Sequence, residues 1–368
     1  MGNDVENSAL LDFESAADKA GEAFLERMMG TINAGAQAVM LSIGHRAGLF
    51  DAMAAMAPAD SHSIAAATGL AERYVREWLA VMVTARVVDF DPQRSTYHLP
   101  AAHAACLTRR GSLGNVAVYA QFVALMGALQ DQTLRCLETG EGTRYGDYPD
   151  FHEIMAEDSG QTVVASLFEH VLPLADGIER RLEAGIEVLD AGCGRGLALI
   201  ALAQRYRNSR FTGYDLSAEA ITEAARDARD CGLRNVRFAT FDMSDFDETD
   251  RYDLITSFDA VHDQRHPAEL IKGIWRALKP GGIYLMQDIG GSARLENNLD
   301  FPMASLLYAI SFMHCTPVSI GQGGEGLGTM WGWETARGML EAAGFASIKR
   351  NVLPHDPMNV WFVSRKAQ

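Results

Sequence analysis

The nine residues Val188–Gly196, VLDAGCGRG, constrain this chain more than any other stretch. An apolar run ends there in an acid and three alternating glycines, and a small-residue helical pattern, Leu197–Tyr206, follows directly. Strand, glycine turn and helix open a parallel α/β unit, because glycines let the backbone turn tightly and approach a ligand closely. The theme then repeats: RFTGYD, a helix Ala218–Cys231, VRFATFD, YDLITSFD, a helix Ala268–Leu278 and GIYLMQDI. Units alternating at this length predict an α/β fold with a doubly wound, mostly parallel, seven-stranded sheet. The tail, ASIKRNVLP followed by NVWFVSRK, reads as its closing β-hairpin.

Ahead of the sheet, residues 63–99 read as another unit. SIAAATGL is a helix with Gly69 as its C-cap, and ERYVREWLAVMVTARVV is a second helix with Tyr74, Trp78, Leu79 and Met82 at helical spacing. VVDFDPQRSTYHL gives two short strands around a turn built from Asp91, Pro92, Gln93 and Arg94. Helix, turn, helix and β-wing make an α-rich winged helix, a module that suits DNA reading or dimerisation. Between 61 and 100, Arg73, Arg76, Arg86 and Arg94 are offset by Glu72, Glu77, Asp89 and Asp91, and the chain carries a formal charge of −16. A helix that reads DNA brings net positive charge to phosphates, so nucleic acid is disfavoured as a partner.

Four segments are expected: an N-terminal arm and helix over 1–30, a winged-helix domain of the dimerisation type over 31–105, a helical connector or cap over 106–182, and the α/β domain over 183–368. The arm is read as a loose terminus followed by a helix Ala16–Met29, with a further helix Ile32–Ala47. These two helices offer more apolar surface than one small domain hides, which predicts a homodimer. No uninterrupted apolar run approaches the roughly 20 residues of a membrane span, and the acidic first residues lack a signal pattern. Five scattered cysteines without a CxxC pair suit reduced thiols, so a cytoplasmic location without membrane contact is expected.

A dinucleotide fingerprint needs GxGxxG, but after Gly192 and Gly194 the third glycine position holds Leu197. Asp190 would also repel a pyrophosphate. S-adenosylmethionine has no phosphate and carries an ammonium and a sulfonium, so an acid beside the loop suits it. Asp215, 19 residues after Gly196 at the end of the second strand, is placed to accept ribose hydroxyls. Asp242 follows the third strand, where it can accept from an adenine amino group, with Met243 lying on the ring. The expected cofactor site comprises Asp190, Gly192, Gly194, Gly196, Asp215, Leu216, Asp242, Met243 and Phe258.

DAGCGRG, the strand-two Asp, FDM and ALKPGG together resemble the class I S-adenosylmethionine-dependent methyltransferases, of Rossmann-like fold. With the winged helix in front, the chain resembles the small-molecule O-methyltransferases, in which that module builds the dimer. The resemblance implies methyl transfer to a small organic substrate such as a phenol, another hydroxyl or an α-keto acid. In those enzymes a His-Asp-Trp segment supplies the His that takes the substrate proton. Here His262 and Asp263 stand in those places, and Gln264 replaces the Trp. The resemblance also extends to metal-dependent α-keto-acid C-methyltransferases, such as phenylpyruvate methyltransferases. Their His, Asp and a His about fifty residues on hold one metal ion, and 52 residues separate His262 from His314 here. Two imidazoles and a carboxylate suit one Fe or Zn ion.

Two mechanisms therefore stay open: His262 as a general base, or His262, Asp263 and His314 as metal ligands. Leu307, Ile310 and His314 share a helical face; a His there is otherwise a hydrogen-bonded core residue. Tyr145, Tyr148 and His152 either line the substrate pocket or only pack the connector. Gly321–Gly328 lacks GK[ST] and a preceding strand, and is read as a flexible loop. A winged-helix transcriptional regulator that binds S-adenosylmethionine is the rival from another class.

Overall fold

The computed structural model describes residues 3–368, with side chains from residue 18 onward. Its contacts divide the chain into two compact units, Met1–Ala124 and Leu125–Gln368.

The first unit opens with one helix, Asn3–Arg46, in place of the expected loose terminus and two separate helices. Gly30 does not break it. A glycine within a helix costs about 1 kcal/mol relative to alanine, too little to end a long one, and Thr31 steadies the turn by donating its hydroxyl to the Arg27 carbonyl at 3.0 Å. The winged helix follows as read: helices Ser61–Thr68 and Glu72–Thr84, then antiparallel strands β1 (Asp89–Asp91) and β2 (Thr96–His98). Gly69 takes the left-handed conformation that closes the first of these helices, and Asp60 caps its start through Ser63 N–H. Val75, Trp78, Leu79 and Met82 form the buried face of the second helix, whereas Tyr74 lies on the opposite, exposed face. Three of the four arginines are paired locally, Arg73 with Glu77, Arg76 with Glu72 and Arg94 with Asp91.

The second unit is a seven-stranded sheet flanked by helices. Its strands are β3 (Glu187–Ala191), β4 (Arg210–Asp215), β5 (Val236–Thr240), β6 (Tyr252–Phe258), β7 (Leu278–Ile289), β8 (Ser347–Leu353) and β9 (Asp356–Arg365). They lie in the order β5-β4-β3-β6-β7-β9-β8, parallel except where β9 runs against β7 and β8. The chain leaves β3 toward one edge and returns through β6 toward the other. The carboxyl ends of β3 and β6 therefore flank the crevice where ligands of open α/β sheets bind. The two sheet faces are covered by separate apolar clusters, one holding Leu199, Phe211 and Trp361, the other Ile255, Ile274 and Phe362.

Ala304–Gly321 has the length and apolarity of a short membrane span. It is not one unbroken α-helix, however: the helix Ala304–Ile310 passes into a π-turn, Ser311–Cys315, before Thr316–Gly321. It buries His314, Cys315 and Val318 within this unit.

Candidate active site

One side of the crevice is built from backbone. Gly192 N–H and Cys193 N–H both donate to the Tyr214 carbonyl, at 2.8 and 3.0 Å, which folds the loop after β3 onto β4. Gly192, Gly194 and Gly196 all have positive φ, 77°, 50° and 67°. A Cβ at Gly192 would strike Ala260 and one at Gly196 would strike Phe238, but a Cβ at Gly194 would meet nothing. The loop is packed at both ends and open in the middle, a cradle that a side chain would fill. Asp215 fastens it, with Oδ2 accepting from Gly194 N–H and Oδ1 from Ser217 N–H, both at 2.8 Å.

Sheet register explains Asp190. Its partner across the β3–β6 ladder is Thr256, whose hydroxyl donates to Asp190 Oδ1 at 2.7 Å. Burial raises the Asp190 carboxyl to about 7, with Thr256 opposing and Asp215 adding to the rise. Asp242 accepts from Ser244 N–H and caps a short turn, Met243–Asp245. Leu216 is exposed beside Asp215. Met243 is buried in the core near Tyr214 and Phe246 instead of presenting an open face for a ring. Phe258 is half-buried, 6.0 Å between ring centres from Trp361. The fit to S-adenosylmethionine thus rests on the open cradle at Gly194 and the acids at three successive strand ends.

The other side is built from side chains. After β6 the backbone leaves strand geometry: Asp259 takes φ 53°, and Gln264 N–H closes a turn on the Val261 carbonyl at 3.2 Å. Consecutive residues of a strand would point oppositely; the turn frees His262 and Asp263 from that rule. His262 is buried, and its Nδ1 lies 2.8 Å from Asp288 Oδ1 at the end of β7. The same oxygen accepts Ile289 N–H at 2.8 Å and Trp331 Nε1–H at 3.1 Å. Three donors on one oxygen hold the carboxylate still, and it in turn sets the imidazole tautomer and ring orientation. Burial works against a charge on His262, but Asp288 and Cys315 together outweigh it and hold the pKa well above the usual value.

Asp263 is buried too. Its Oδ2 accepts the Tyr145 hydroxyl at 2.5 Å, and its Oδ1 has no protein partner. His314 sits in the π-turn, a form of helix that is frequent at functional sites. Its ring stacks on Phe151 at 3.7 Å and meets the edge of Tyr148 at 4.4 Å. Burial, with His262 and His152, pulls its pKa down to about 3, so the ring is neutral. His314 Nε2 is buried without a partner, while Nδ1 lies 3.5 Å from Cys315 Sγ.

Among the described residues, the group whose ligand atoms all lie within 4.8 Å of one another is Asp259, His262 and Asp288. The expected trio of His262, Asp263 and His314 is not drawn together that closely. Asp288 Oδ1 already has its three donors, but Asp288 Oδ2 and Asp259 Oδ1 are buried without a partner, as are Asp263 Oδ1 and His314 Nε2. Such a donor set fits an ion, since buried polar atoms in native proteins are otherwise nearly always satisfied.

The glycine-rich segment Gly321–Gly328 is tied down rather than flexible. Ser319 Oγ donates to the Gln264 carbonyl at 3.0 Å and accepts from Gly326 N–H at 3.1 Å. Glu325 N–H donates to the Arg265 carbonyl at 3.1 Å, and Arg265 backbone occupies the space of a Cβ at Gly324. Glycine here permits close approach of two backbones, fastening the segment that follows His314 to the turn that holds His262. Sequence reasoning missed Asp259, Asp288, Trp331 and the role of Tyr145. Asp288, an acid ending an apolar strand, carried the same signal that singled out Asp215; Tyr145 carried none.

Comparison with known proteins places both modules. Residues 35–109 match the family model of the Rv2258c-like winged HTH domain, and residues 182–344 match a methyltransferase domain. A probable (S)-tetrahydroprotoberberine N-methyltransferase 2 of Papaver bracteatum is 31% identical over 99 residues, 26% of this chain and 28% of that protein. A ubiquinone biosynthesis O-methyltransferase of Leptothrix cholodnii is 29% identical over 107 residues, 28% of this chain and 45% of that one. The chain thus spans less than half the length of these two relatives. Among solved structures, a putative O-methyltransferase from Nostoc punctiforme superposes with a TM-score of 0.70 at 19% identity, covering 93% of this chain and 98% of the other. Human N-acetylserotonin methyltransferase, in complex with S-adenosylmethionine, gives 0.65 at 16% identity over 93% and 98%. At these identities the likeness is one of fold.

Proposed function

We propose that this chain, a winged helix-turn-helix domain joined to a methyltransferase domain of Rossmann-like fold, methylates a small organic acid or phenol with one metal ion held by His262, Asp263 and His314. The observation that carries the metal reading is the pair of buried, unpartnered ligand atoms, Asp263 Oδ1 and His314 Nε2, near a His262 that Asp288 orients.

When bound, S-adenosylmethionine supplies a sulfonium-activated methyl group. The chain's own part begins with the cradle. Gly194 leaves room for the cofactor, Asp190 faces its ammonium, and Asp215, while fastening the loop, keeps lone pairs for the ribose hydroxyls. Asp242 and Leu216 border the adenine end. On the acceptor side, His262, Asp263 and His314 hold the ion, and Asp288 keeps His262 from turning. An ion there would act as a Lewis acid, lowering the pKa of a chelating hydroxyl or of the carbon next to a keto group. The surrounding Tyr145, Tyr148 and Phe151 exclude water from these side chains.

A second reading rests on the His262–Asp288 pair, at 2.8 Å. An imidazole made more basic by Asp288 takes a substrate proton once it is itself deprotonated, and O-methylation would then need no metal. Screening small acids and phenols with methyl-labelled cofactor, with and without a chelator, separates the two. Labelled product that vanishes with chelator supports the metal reading; chelator-insensitive transfer favours His262 as base. No transfer to any acceptor, with the cofactor bound, would count against both.

We further infer a homodimer, from Phe24, Leu25, Met29 and Ile32, which are exposed along the helix Asn3–Arg46. Light scattering that returns a monomer at micromolar concentration contradicts it. Nucleic acid is disfavoured because three of the four winged-helix arginines are neutralised by neighbouring acids. Five free cysteines suit a cytoplasmic location.

A further inference from the structure

We propose that Tyr145 is a positioning residue of the acceptor side: its phenol fixes the Asp263 carboxylate so that Oδ1 is the oxygen left to act as ligand. The inference rests on the metal reading above.

Tyr145 belongs to a stretch without any motif, 118 residues before Asp263. Its hydroxyl donates to Asp263 Oδ2 at 2.5 Å. A free carboxylate can turn and offer either oxygen. One whose Oδ2 is held by a short hydrogen bond cannot, and Asp263 Oδ1 is the oxygen left buried without a donor.

Tyr145 does not act alone, because the segment around it also grips His314. Phe151 stacks on the His314 ring at 3.7 Å, and Tyr148 and Tyr145 approach it edge-on at 4.4 and 5.8 Å. The segment is anchored to the chain that bears His314. Thr143 N–H donates to the Pro317 carbonyl at 2.9 Å, and the Tyr148 hydroxyl donates to the Met313 carbonyl at 2.9 Å. Gly142 and Gly321 touch so closely that a Cβ on either would collide with the other strand of backbone. One continuous strap, residues 142–151, thus grips both Asp263 and His314, each of which keeps an unpartnered ligand atom. Groups in this position orient ligands and set their basicity, and losing one typically lowers metal affinity or activity 10- to 100-fold.

Tyr148 supplies the comparison. It lies on the same strap and packs against the same histidine, but its hydroxyl goes to backbone and not to a ligand, so its loss loosens the strap while Asp263 Oδ2 stays held. The test titrates the metal-stripped full chain with Co(II), following the visible ligand-field absorption, for wild type, Tyr145→Phe and Tyr148→Phe. Calorimetry with S-adenosylmethionine checks that each variant keeps its cofactor site. The expected result is one Co(II) per wild-type chain, roughly 10- to 100-fold weaker binding with a shifted band in Tyr145→Phe, and weaker binding with an unshifted band in Tyr148→Phe. Should the Phe variant fail to fold, Tyr145→Leu gives the same readout. A Tyr145 variant that takes up Co(II) like wild type overturns the role of Tyr145 and leaves the metal reading standing. The same band in Tyr145→Phe and Tyr148→Phe also overturns it, since that pattern belongs to packing. A wild-type chain that binds no ion removes the metal reading and this inference with it.

Discussion

Around β3 to β5, the crevice is lined by a glycine loop and by acids at strand ends. Asp190, Asp215 and Asp242 come from three successive strands, and each is held by its neighbours: Thr256 on Asp190, two backbone N–H groups on Asp215, Ser244 on Asp242. Around β6 and β7 the lining comes from side chains of well-separated segments: the turn with His262 and Asp263, the π-turn with His314, Asp288 at the end of β7 and Tyr145 from the connector. The acids of the first side are all held by protein partners. The second side keeps buried ligand atoms without partners on Asp259, Asp263, Asp288 and His314. The contrast suggests a division of labour. On the proposed function, the backbone side would recognise the cofactor, and the side-chain side would set what is methylated and how.

The division breaks most visibly at His262. His262→Ala is expected to lower turnover by at least about a thousandfold, within the range for losing a positioned acid–base group, while S-adenosylmethionine affinity stays within about twofold. Steady-state kinetics with calorimetry check both; a parallel loss of cofactor affinity would show that the two sides are one. Next comes Asp215→Ala, expected to weaken cofactor binding by well over tenfold. It removes charge-assisted bonds, about 1.5–3 kcal/mol, and frees the Gly194 loop as well. Unchanged affinity by calorimetry would mean that the cofactor lies elsewhere.

A smaller effect concerns pH. Asp190 titrates near 7 in the free protein because it is buried, and only its ionised form attracts the cofactor ammonium. Affinity should be full above that pH and fall by up to about tenfold per unit below it. Stability has the opposite sign: a carboxyl whose folded pKa is raised contributes stability that is present at low pH and is lost as pH rises through about 7. Asp190→Asn should flatten the pH dependence of binding, weaken binding at pH 8 and raise the melting temperature of the free protein there. Binding by the wild type that is flat from pH 5.5 to 8 would rule this out. The smallest effect is expected at Cys193. Its side chain is half-buried and desolvation pushes its thiol pKa well above normal, so Cys193→Ala should leave turnover and affinity within about threefold. A large loss of turnover would give the thiol a chemical role.

The same contrast explains what could be read in advance. Backbone recognition requires fixed spacing, so VLDAGCGRG and the acids at strand ends announce the cofactor side and the parallel sheet. Residues that meet only through the fold leave no spacing to read. Tyr145 reaches Asp263 because the connector folds over the sheet, and nothing near Tyr145 in sequence reports it. Gly321–Gly328 misled in the same way, since glycines that allow two backbones to touch look identical in sequence to glycines of a mobile loop. Met243 followed an acid at a strand end and invited a role at the adenine, yet the short turn after Asp242 buries it.

The central claim is that Asp263 and His314 are left unpartnered because they share an ion with His262. Metal analysis of wild type and His314→Ala, both purified after growth with Fe and Zn supplied, tests it most directly. The account expects about one Fe or Zn per wild-type chain, and loss of the ion and of methyl transfer together in His314→Ala, since two remaining ligands hold an ion poorly. A metal-free but active wild type, or a His314→Ala variant that keeps its turnover, would contradict it.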